Sequence, residues 1–204
     1  MHHKRFVLVA LALASCAVFS PAAMADGAAP PATASALCDA LIAAMKGGTT
    51  LGFAGRRDLL GPEVRRDLNL PLMTRIVVGP TWRKLSPSDC QQLVDAFSDY
   101  SVATYAEQFS GYSGQHFEVD PAPTPMPSGD TIVHTKFFTG APDPVELDYL
   151  MRKTDGAWRI IDVYLNGTIS EMAARRSEYS AVLSQGGAAA LVALLRKKAV
   201  ELGG

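Results

Sequence analysis

Hydrophobic and polar side chains alternate along residues 145–152, which is the pattern of a half-buried β-strand. Its apolar positions are Val145, Leu147, Tyr149 and Met151. Asp155-Gly156 follows and favours the left-handed backbone of a tight hairpin turn. The return run, residues 157–165, is apolar on both faces. The pattern therefore predicts a β-hairpin with more apolar surface than a surface hairpin needs, so that one face requires a core and the other requires a further cover.

Helical periodicity surrounds this hairpin on both sides. Apolar residues recur on one helical face within residues 34–46, 72–77, 87–109, 169–183 and 188–202, and residues 49–61 suggest a further short helix. Ser86-Pro87 is a strong helix start, Thr168 and Glu171 form a predicted capping box, and Gly47-Gly48 and Gly186-Gly187 are predicted helix ends.

Two further strands, at residues 116–120 and 130–139, flank a Pro-rich loop at residues 121–129. We therefore predict an α+β fold, in which about six helices pack on one side of a curved antiparallel sheet of about four strands.

The N-terminus has the layout of a secretory signal peptide over residues 1–25. A basic start precedes an apolar run too short to span a bilayer comfortably, and Ala23-Met24-Ala25 is a suitable cleavage site. Cys16 also fits a lipoprotein motif, but the apolar run continues past it, which favours ordinary cleavage. Residues 26–33 are predicted to be a disordered linker and residues 34–204 a single domain. No other apolar run approaches membrane-spanning length, so we expect a soluble, exported protein.

Composition and charge restrict the possible functions. The 204 residues are 48% hydrophobic and 19% charged, which argues against disorder, and the formal net charge of −1 gives no bulk attraction for nucleic acid. Export leaves Cys38 and Cys90, which either form a disulfide or are two separate buried side chains. Neither cysteine has a second ligand at metal-binding spacing, so no metal or cofactor is expected.

The sequence offers few candidates for catalysis. It lacks a G-x-S-x-G elbow, a P-loop and a G-x-G-x-x-G motif. His116 and His134 have no partner at recognisable spacing, so we interpret both as structural or surface residues. Asp148 and Asp162 could be a pair of acid–base carboxylates, although cross-strand ion pairs with Arg152 or Arg159 are the simpler interpretation.

Two other features leave alternatives open. The cluster Arg56, Arg57, Arg65 and Arg66 could meet acidic headgroups or a partner protein, or it could lie on solvated helix faces. The apolar faces of the helices and the hairpin could form a dense core, which is the default, or could enclose a dry cavity for a lipid. Periodicity alone does not separate the last two.

Several runs in order resemble the MlaC family of periplasmic lipid-binding proteins, also known as toluene-tolerance proteins. They are residues 76–82, 86–89, 97–100, 103–106, 112–115, 145–149, 161–170 and 176–179. The runs at 112–115 and 166–171 look closest to the hopanoid-associated HpnM branch. The resemblance covers roughly residues 37–202, and it is weakest before Leu72 and in the Pro-rich loop.

This resemblance implies an NTF2-like sheet and a deep apolar pocket. It implies a periplasmic carrier that shuttles phospholipid or hopanoid-type lipid between the inner and outer membranes and contacts them transiently. The implied partners are an inner-membrane ABC transporter complex with an MCE-domain protein and an outer-membrane lipoprotein complex. The alternatives are an NTF2-like enzyme that acts on a hydrophobic molecule through Asp148, Asp162 or His134, and an interaction module with a solid core.

On the carrier hypothesis, the apolar positions of these elements would line the pocket. The predicted lining residues are Met73, Ile76, Val77, Phe97, Tyr105, Val133, Phe137, Leu147, Tyr149, Met151, Trp158, Ile160, Val163, Ile169, Leu183 and Leu191.

Overall fold

The computed structural model describes residues 28–204, so the predicted signal peptide and Cys16 lie outside the described residues. The α-helices are α1 (Pro30–Asp67), α2 (Leu70–Val78), α3 (Pro87–Gln108) and α4 (Glu171–Glu201), and a 3₁₀ helix covers Gly79–Lys84. The strands are β1 (His116–Val119), β2 (Thr124–Pro125), β3 (Thr131–Val133), β4 (Thr135–Phe138), β5 (Val145–Thr154), β6 (Ala157–Leu165) and β7 (Ile169–Ser170). The α+β class is therefore as predicted.

The hairpin of β5 and β6 is the centre of a curved antiparallel sheet. Asp155 and Gly156 have φ angles of 52° and 81°, so the predicted turn is confirmed. One edge of β5 pairs with β6, and the other pairs with both β3 and β4. Within residues 28–204 the sheet has seven strands rather than about four. The predicted strand at 130–139 divides at His134 into β3 and β4, and the two-residue strands β2 and β7 were not predicted.

The helix count also differs, with four α-helices in the described chain instead of about six. Gly48, Gly52 and Gly187 have non-helical backbone with φ angles of 41°, 60° and 65°, so α1 and α4 each consist of shorter helices that meet at a kink. These kinks coincide with the helix ends predicted at Gly47-Gly48 and Gly186-Gly187, which explains the lower count. Residues 30–33 of the predicted linker are helical, since α1 begins at Pro30. Two prolines fit the first turn of a helix because their missing N–H groups would have no partner there.

The helix starts show one confirmed prediction and one error. Ser86 caps α3, with its Oγ accepting from the backbone N–H of Asp89 at 3.1 Å. At α4 the cap is Ser170 rather than Thr168, and its Oγ accepts from the N–H of Ala173 at 2.9 Å. The capping box was wrong because β7 extends through Ser170, so the chain enters the helix two residues later than predicted.

The core lies between the helices and the inner face of the sheet. Tyr149, Met151 and Ile160 contribute to it from the hairpin, and all three are almost completely buried. Polar residues of β5, such as Glu146 and Arg152, are exposed on the other face. One face of the sheet therefore packs against the helices, and the other carries polar groups.

Helix α4 is longer and more apolar than expected. By length and composition alone it could cross a membrane, since its most apolar window has a mean hydropathy of 1.2. The helix is bent at Gly187, however, and Tyr179, Leu183, Leu191 and Leu195 are buried in the core. We therefore interpret α4 as a core helix of this domain, although its length corrects the expectation that no second run of that size exists.

Candidate functional site

A cavity of about 220 Å³ opens between α3, the start of α4, α2 and the β5–β6 hairpin. Most of its wall is apolar, and the polar groups are contributed by α3 and α4. The lining residues are Leu68, Met73, Phe97, Ser101, Thr104, Tyr105, Gln108, Leu147, Val163, Leu165, Glu171, Met172 and Arg175.

The hairpin provides the floor of the cavity through strand alternation. Leu147 pairs with Leu165 across the two strands, and Tyr149 pairs with Val163. Residues two apart on a strand share a face, so Leu147 lies on the same inward face as the buried Tyr149. The apolar surplus of the hairpin is thus divided between the core and a cavity that borders it.

Helix α3 provides the opposite wall by helical spacing. Phe97, Ser101, Thr104, Tyr105 and Gln108 are three or four residues apart and therefore share one helix face. Ser101 Oγ donates to the carbonyl of Phe97 at 2.7 Å, and Thr104 Oγ1 donates to the carbonyl of Tyr100 at 2.8 Å. Both hydroxyl protons are used within the helix, so neither is available to a ligand.

One part of the wall is charged. Glu171 and Arg175 lie one turn apart on α4, and their Oε2 and Nε atoms are 3.4 Å apart. The Arg175 guanidinium also lies 5.1 Å from the centre of the Tyr100 ring and donates to Tyr179 Oη at 3.4 Å. The Glu171 side chain is 43% exposed and that of Arg175 is 18% exposed, so the charged part of the wall reaches solvent. The cavity is therefore amphipathic.

Burial favours the neutral form of three titratable side chains in or beside the cavity. Burial raises the pKa of Tyr105 to about 12, and burial also raises the pKa of Tyr149 well above its usual value of 10. Cys38 Sγ lies 3.9 Å from Tyr149 Oη, and burial raises the pKa of its thiol to about 12. Cys38 and Cys90 are both free thiols, so the structure contains two separate cysteines rather than a disulfide.

The sixteen predicted pocket residues divide into three groups. Those that line the cavity are Met73, Phe97, Tyr105, Leu147 and Val163. Those buried in the adjoining core are Val77, Val133, Tyr149, Met151, Ile160, Leu183 and Leu191, with Phe137 and Trp158 partly buried against it. Of the remaining two, Ile76 is partly buried against the core and also borders surface grooves, and Ile169 is 52% exposed on the short strand β7.

The sequence did not indicate several members of the cavity wall. Leu68 lies in the short connection between α1 and α2, and Leu165 lies at the end of β6. Glu171, Met172 and Arg175 share the first turns of α4, and the spacing of four between Glu171 and Arg175 is the signal that could have identified that pair.

The acids considered for catalysis lie outside this cavity. Asp148 Oδ1 is 3.1 Å from His134 Nδ1, and His134 Nε2 is 3.0 Å from Thr124 Oγ1, at a separate polar groove. Asp162 accepts from Ser170 Oγ at 2.5 Å and from the Met172 N–H at 3.1 Å, so it supports the start of α4.

The predicted ion pairs are also corrected. Arg152 pairs with Asp130, through contacts of 2.6 and 2.7 Å, rather than with Asp148 or Asp162. Arg56 is buried and donates to the Ala106 carbonyl, while the other three basic residues of that cluster pair with carboxylates. Those pairs are Arg57 with Asp58, Arg65 with Asp99, and Arg66 with Glu63 and Asp67.

Comparisons with known proteins agree on the fold and the family. A solved structure of a phospholipid-binding protein from Ralstonia solanacearum, described as a complex with a phospholipid, superposes with a TM-score of 0.74. The two chains are 23% identical, and the match covers 87% of this chain and 100% of the other. A comparison with curated protein sequences gives no match. The family model described as MlaC protein matches residues 35–197, and the chain therefore belongs to the MlaC family.

Proposed function

We propose that this protein is a periplasmic lipid carrier that holds acyl chains in the cavity between α3, α4 and the β5–β6 hairpin. The observation that carries the proposal is an apolar cavity with one charged, solvent-reaching part, in a fold shared with a protein solved with phospholipid. Family membership indicates a lipid-binding carrier rather than an enzyme. The enzyme alternative has no support from the cavity, since Asp148, Asp162 and His134 do not line it.

The size of the cavity indicates that loading changes its shape. Pockets for small ligands usually measure about 300–1,000 Å³, whereas this one measures about 220 Å³. Met73 and Met172 lie in the wall, and methionine side chains repack easily because they are unbranched and flexible. We infer that an entering acyl chain displaces these side chains and widens the cavity.

The energetics fit a carrier without covalent chemistry. An acyl chain gains about 0.8 kcal/mol per CH₂ when it leaves water for an apolar site. The chain comes from a bilayer that is equally dry, so transfer to the cavity is close to balanced. The direction of transport must then come from partners. We propose an inner-membrane ABC transporter with an MCE-domain protein and an outer-membrane lipoprotein complex, with export by the signal peptide at residues 1–25.

The proposed ligand is a phospholipid. The solved neighbour is described as a phospholipid complex, and Arg175 gives the cavity a cation that could face a phosphate group. A hopanoid-type lipid is the second candidate, supported by the similarity of residues 112–115 and 166–171 to the HpnM branch.

Lipid uptake by the delipidated protein tests this function. The protein is stripped of lipid, refolded and incubated with vesicles that contain a fluorescent phospholipid, or with a labelled hopanoid in a parallel series. We expect the protein to acquire about one lipid per chain after separation from the vesicles. Folded protein that takes up neither lipid would refute the carrier proposal, and uptake of the hopanoid alone would refute the choice of phospholipid.

A further inference from the structure

A second surface feature lies beside the cavity and does not belong to it. The C-terminal part of α2, the 3₁₀ helix and α4 together form an open groove of about 390 Å³. We call it the basic groove. Its lining residues are Leu72, Arg75, Ile76, Gly79, Pro80, Trp82, Arg83 and Arg176.

The charge of the basic groove is uniformly positive. It contains three arginines and no acidic residue. Arg75, Arg83 and Arg176 are exposed, and none has an ion pair or hydrogen bond among residues 28–204. The exposed Arg57 and Arg65, in contrast, are each paired with an aspartate. The three arginines of this groove therefore have no carboxylate that neutralises them within the groove.

Arg176 is held close to the backbone of this groove. A Cβ atom added to Gly79 would lie 2.9 Å from Arg176 Nε, so the glycine leaves room for the guanidinium, which would have to shift beside a larger residue. Gly79 also has a φ of 65°, a conformation that L side chains rarely adopt. The 3₁₀ helix thus begins at Gly79, and this turn places Trp82 and Arg83 in the same groove as Arg176, which is almost a hundred residues later in the chain.

Apolar side chains lie among these cations. Leu72, Ile76 and Trp82 are half-buried and form part of the groove surface. Tryptophan is enriched at the headgroup level of bilayers, and arginine is attracted to anionic headgroups. This mixture of cations and apolar groups fits the surface of an anionic bilayer. The lipid headgroups can move laterally to meet each guanidinium, so the surface does not need to present charges in a fixed geometry.

We propose that the basic groove docks the protein on a bilayer that contains anionic phospholipid. The proposal rests on the carrier function above and adds the surface and the lipid charge used for membrane contact. It also gives the cavity a position near the membrane, since Arg175 lines the cavity and the next residue, Arg176, lines the groove. Likewise Met73 of α2 lines the cavity and Ile76 lines the groove.

Vesicle co-sedimentation tests the docking surface. The purified protein is mixed with vesicles of phosphatidylcholine alone or with about one-third phosphatidylglycerol. We expect binding only to the anionic vesicles and loss of binding at high salt. Arg75→Gln/Arg83→Gln should weaken binding about 30-fold, from about fivefold per arginine. The matched control, Arg57→Gln/Arg65→Gln, removes the same charge from another face and should weaken vesicle binding less than about threefold. Arg176 is left unchanged because it packs on Gly79.

A spectroscopic measurement identifies the docked face directly. Trp158→Phe leaves Trp82 as the one tryptophan, since the sequence contains two. Anionic vesicles with brominated acyl chains should quench Trp82 fluorescence, and the double variant at Arg75 and Arg83 should abolish the quenching. Equal losses in both double variants, or no binding to anionic vesicles at all, would overturn the proposal, and the latter would favour an acidic protein as the partner of this groove.

The lipid content of the same samples separates the two proposals. Protein that binds anionic vesicles but never carries lipid contradicts the carrier function and supports the docking surface. Protein that carries lipid without binding anionic vesicles contradicts the docking surface alone.

Discussion

Replacement of Leu147 by aspartate would place a carboxyl group in the floor of the cavity. Leu147 lies in the wall but is only half-buried, so the lipid-free variant can hydrate the new side chain and should fold. An acyl chain that fills the cavity would remove that water. The variant can then bind lipid only if the carboxyl group is neutral, because an unpaired charge is very costly in an apolar site.

The size of this effect follows from the ordinary pKa of aspartate, about 3.9. Each pH unit above that value costs about 1.4 kcal/mol to keep the group protonated, which gives about 4 kcal/mol at pH 7. Lipid affinity should therefore fall about 1,000-fold at pH 7. The bound state raises the pKa of the introduced carboxyl group, so affinity should recover by about tenfold for each unit of pH lowered towards pH 4.

The assay is fluorescent phospholipid uptake at pH 7 and pH 5, with each variant compared with the unchanged protein at the same pH. Leu147→Asn is the first control, since it is polar but cannot titrate and should lose less affinity with no recovery at low pH. Ile132→Asp is the second control, because Ile132 is also a half-buried strand residue but does not line the cavity. Full lipid uptake by folded Leu147→Asp at pH 7 would refute the assignment of this cavity as the lipid site.

Three further predictions concern the fold that supports the cavity. Ser170→Ala removes the cap of α4 and the hydroxyl that donates to Asp162; thermal unfolding should show a loss of about 1 kcal/mol or a few degrees, and an unchanged melting temperature would contradict the cap. Hydrogen bonds from Arg152 are the main cause that lowers the pKa of Asp130, so the stabilisation by this carboxylate is present above pH 4 and is lost as the pH falls through its folded-state pKa. Urea unfolding at pH 7 and pH 3 should therefore show that Asp130→Asn loses less unfolding free energy on acidification than the unchanged protein, and equal losses would contradict this. Maleimide labelling of the native protein should modify Cys90 and spare Cys38, because Cys38 is 2% exposed and its pKa is raised to about 12 by burial; labelling of neither thiol before reduction would point to a disulfide instead.

The parts of the fold that could be predicted from the sequence depend on local signals. The alternation around Leu147 and the Asp155-Gly156 pair identify the β5–β6 hairpin, and Ser86 identifies the start of α3. Each of these signals lies within a few residues of the structure that it specifies. The glycines were located correctly as points of irregular backbone, but Gly48 and Gly187 bend long helices because the helix resumes directly after each one.

The parts that could not be predicted depend on contacts between distant residues. Asp130 and Arg152 are 22 positions apart, so β3 must pair with β5 before they can meet. The cavity joins Leu68 from the α1–α2 connection to Leu165 and Arg175, and no local pattern connects these positions. The basic groove has the same origin, since Arg75 and Arg176 become neighbours only when α2 packs on α4.

Residue pattern also could not separate a lining residue from a core residue. Leu147 and Tyr149 have the same alternation on β5, yet the first borders the cavity and the second is 2% exposed in the core. The difference lies in which helix side chains stand opposite each one. The location of the empty space is thus a property of packing between elements rather than of either strand alone.

The most direct test of the carrier proposal is native mass spectrometry of the protein after purification from the periplasm of the cells that express it. We predict a folded population whose mass exceeds that of the chain by one phospholipid, and this extra mass should be absent from Leu147→Asp at pH 7. A folded protein that carries no lipid, or that carries the same lipid in Leu147→Asp, would contradict the assignment of the cavity between α3, α4 and the β5–β6 hairpin as the lipid site.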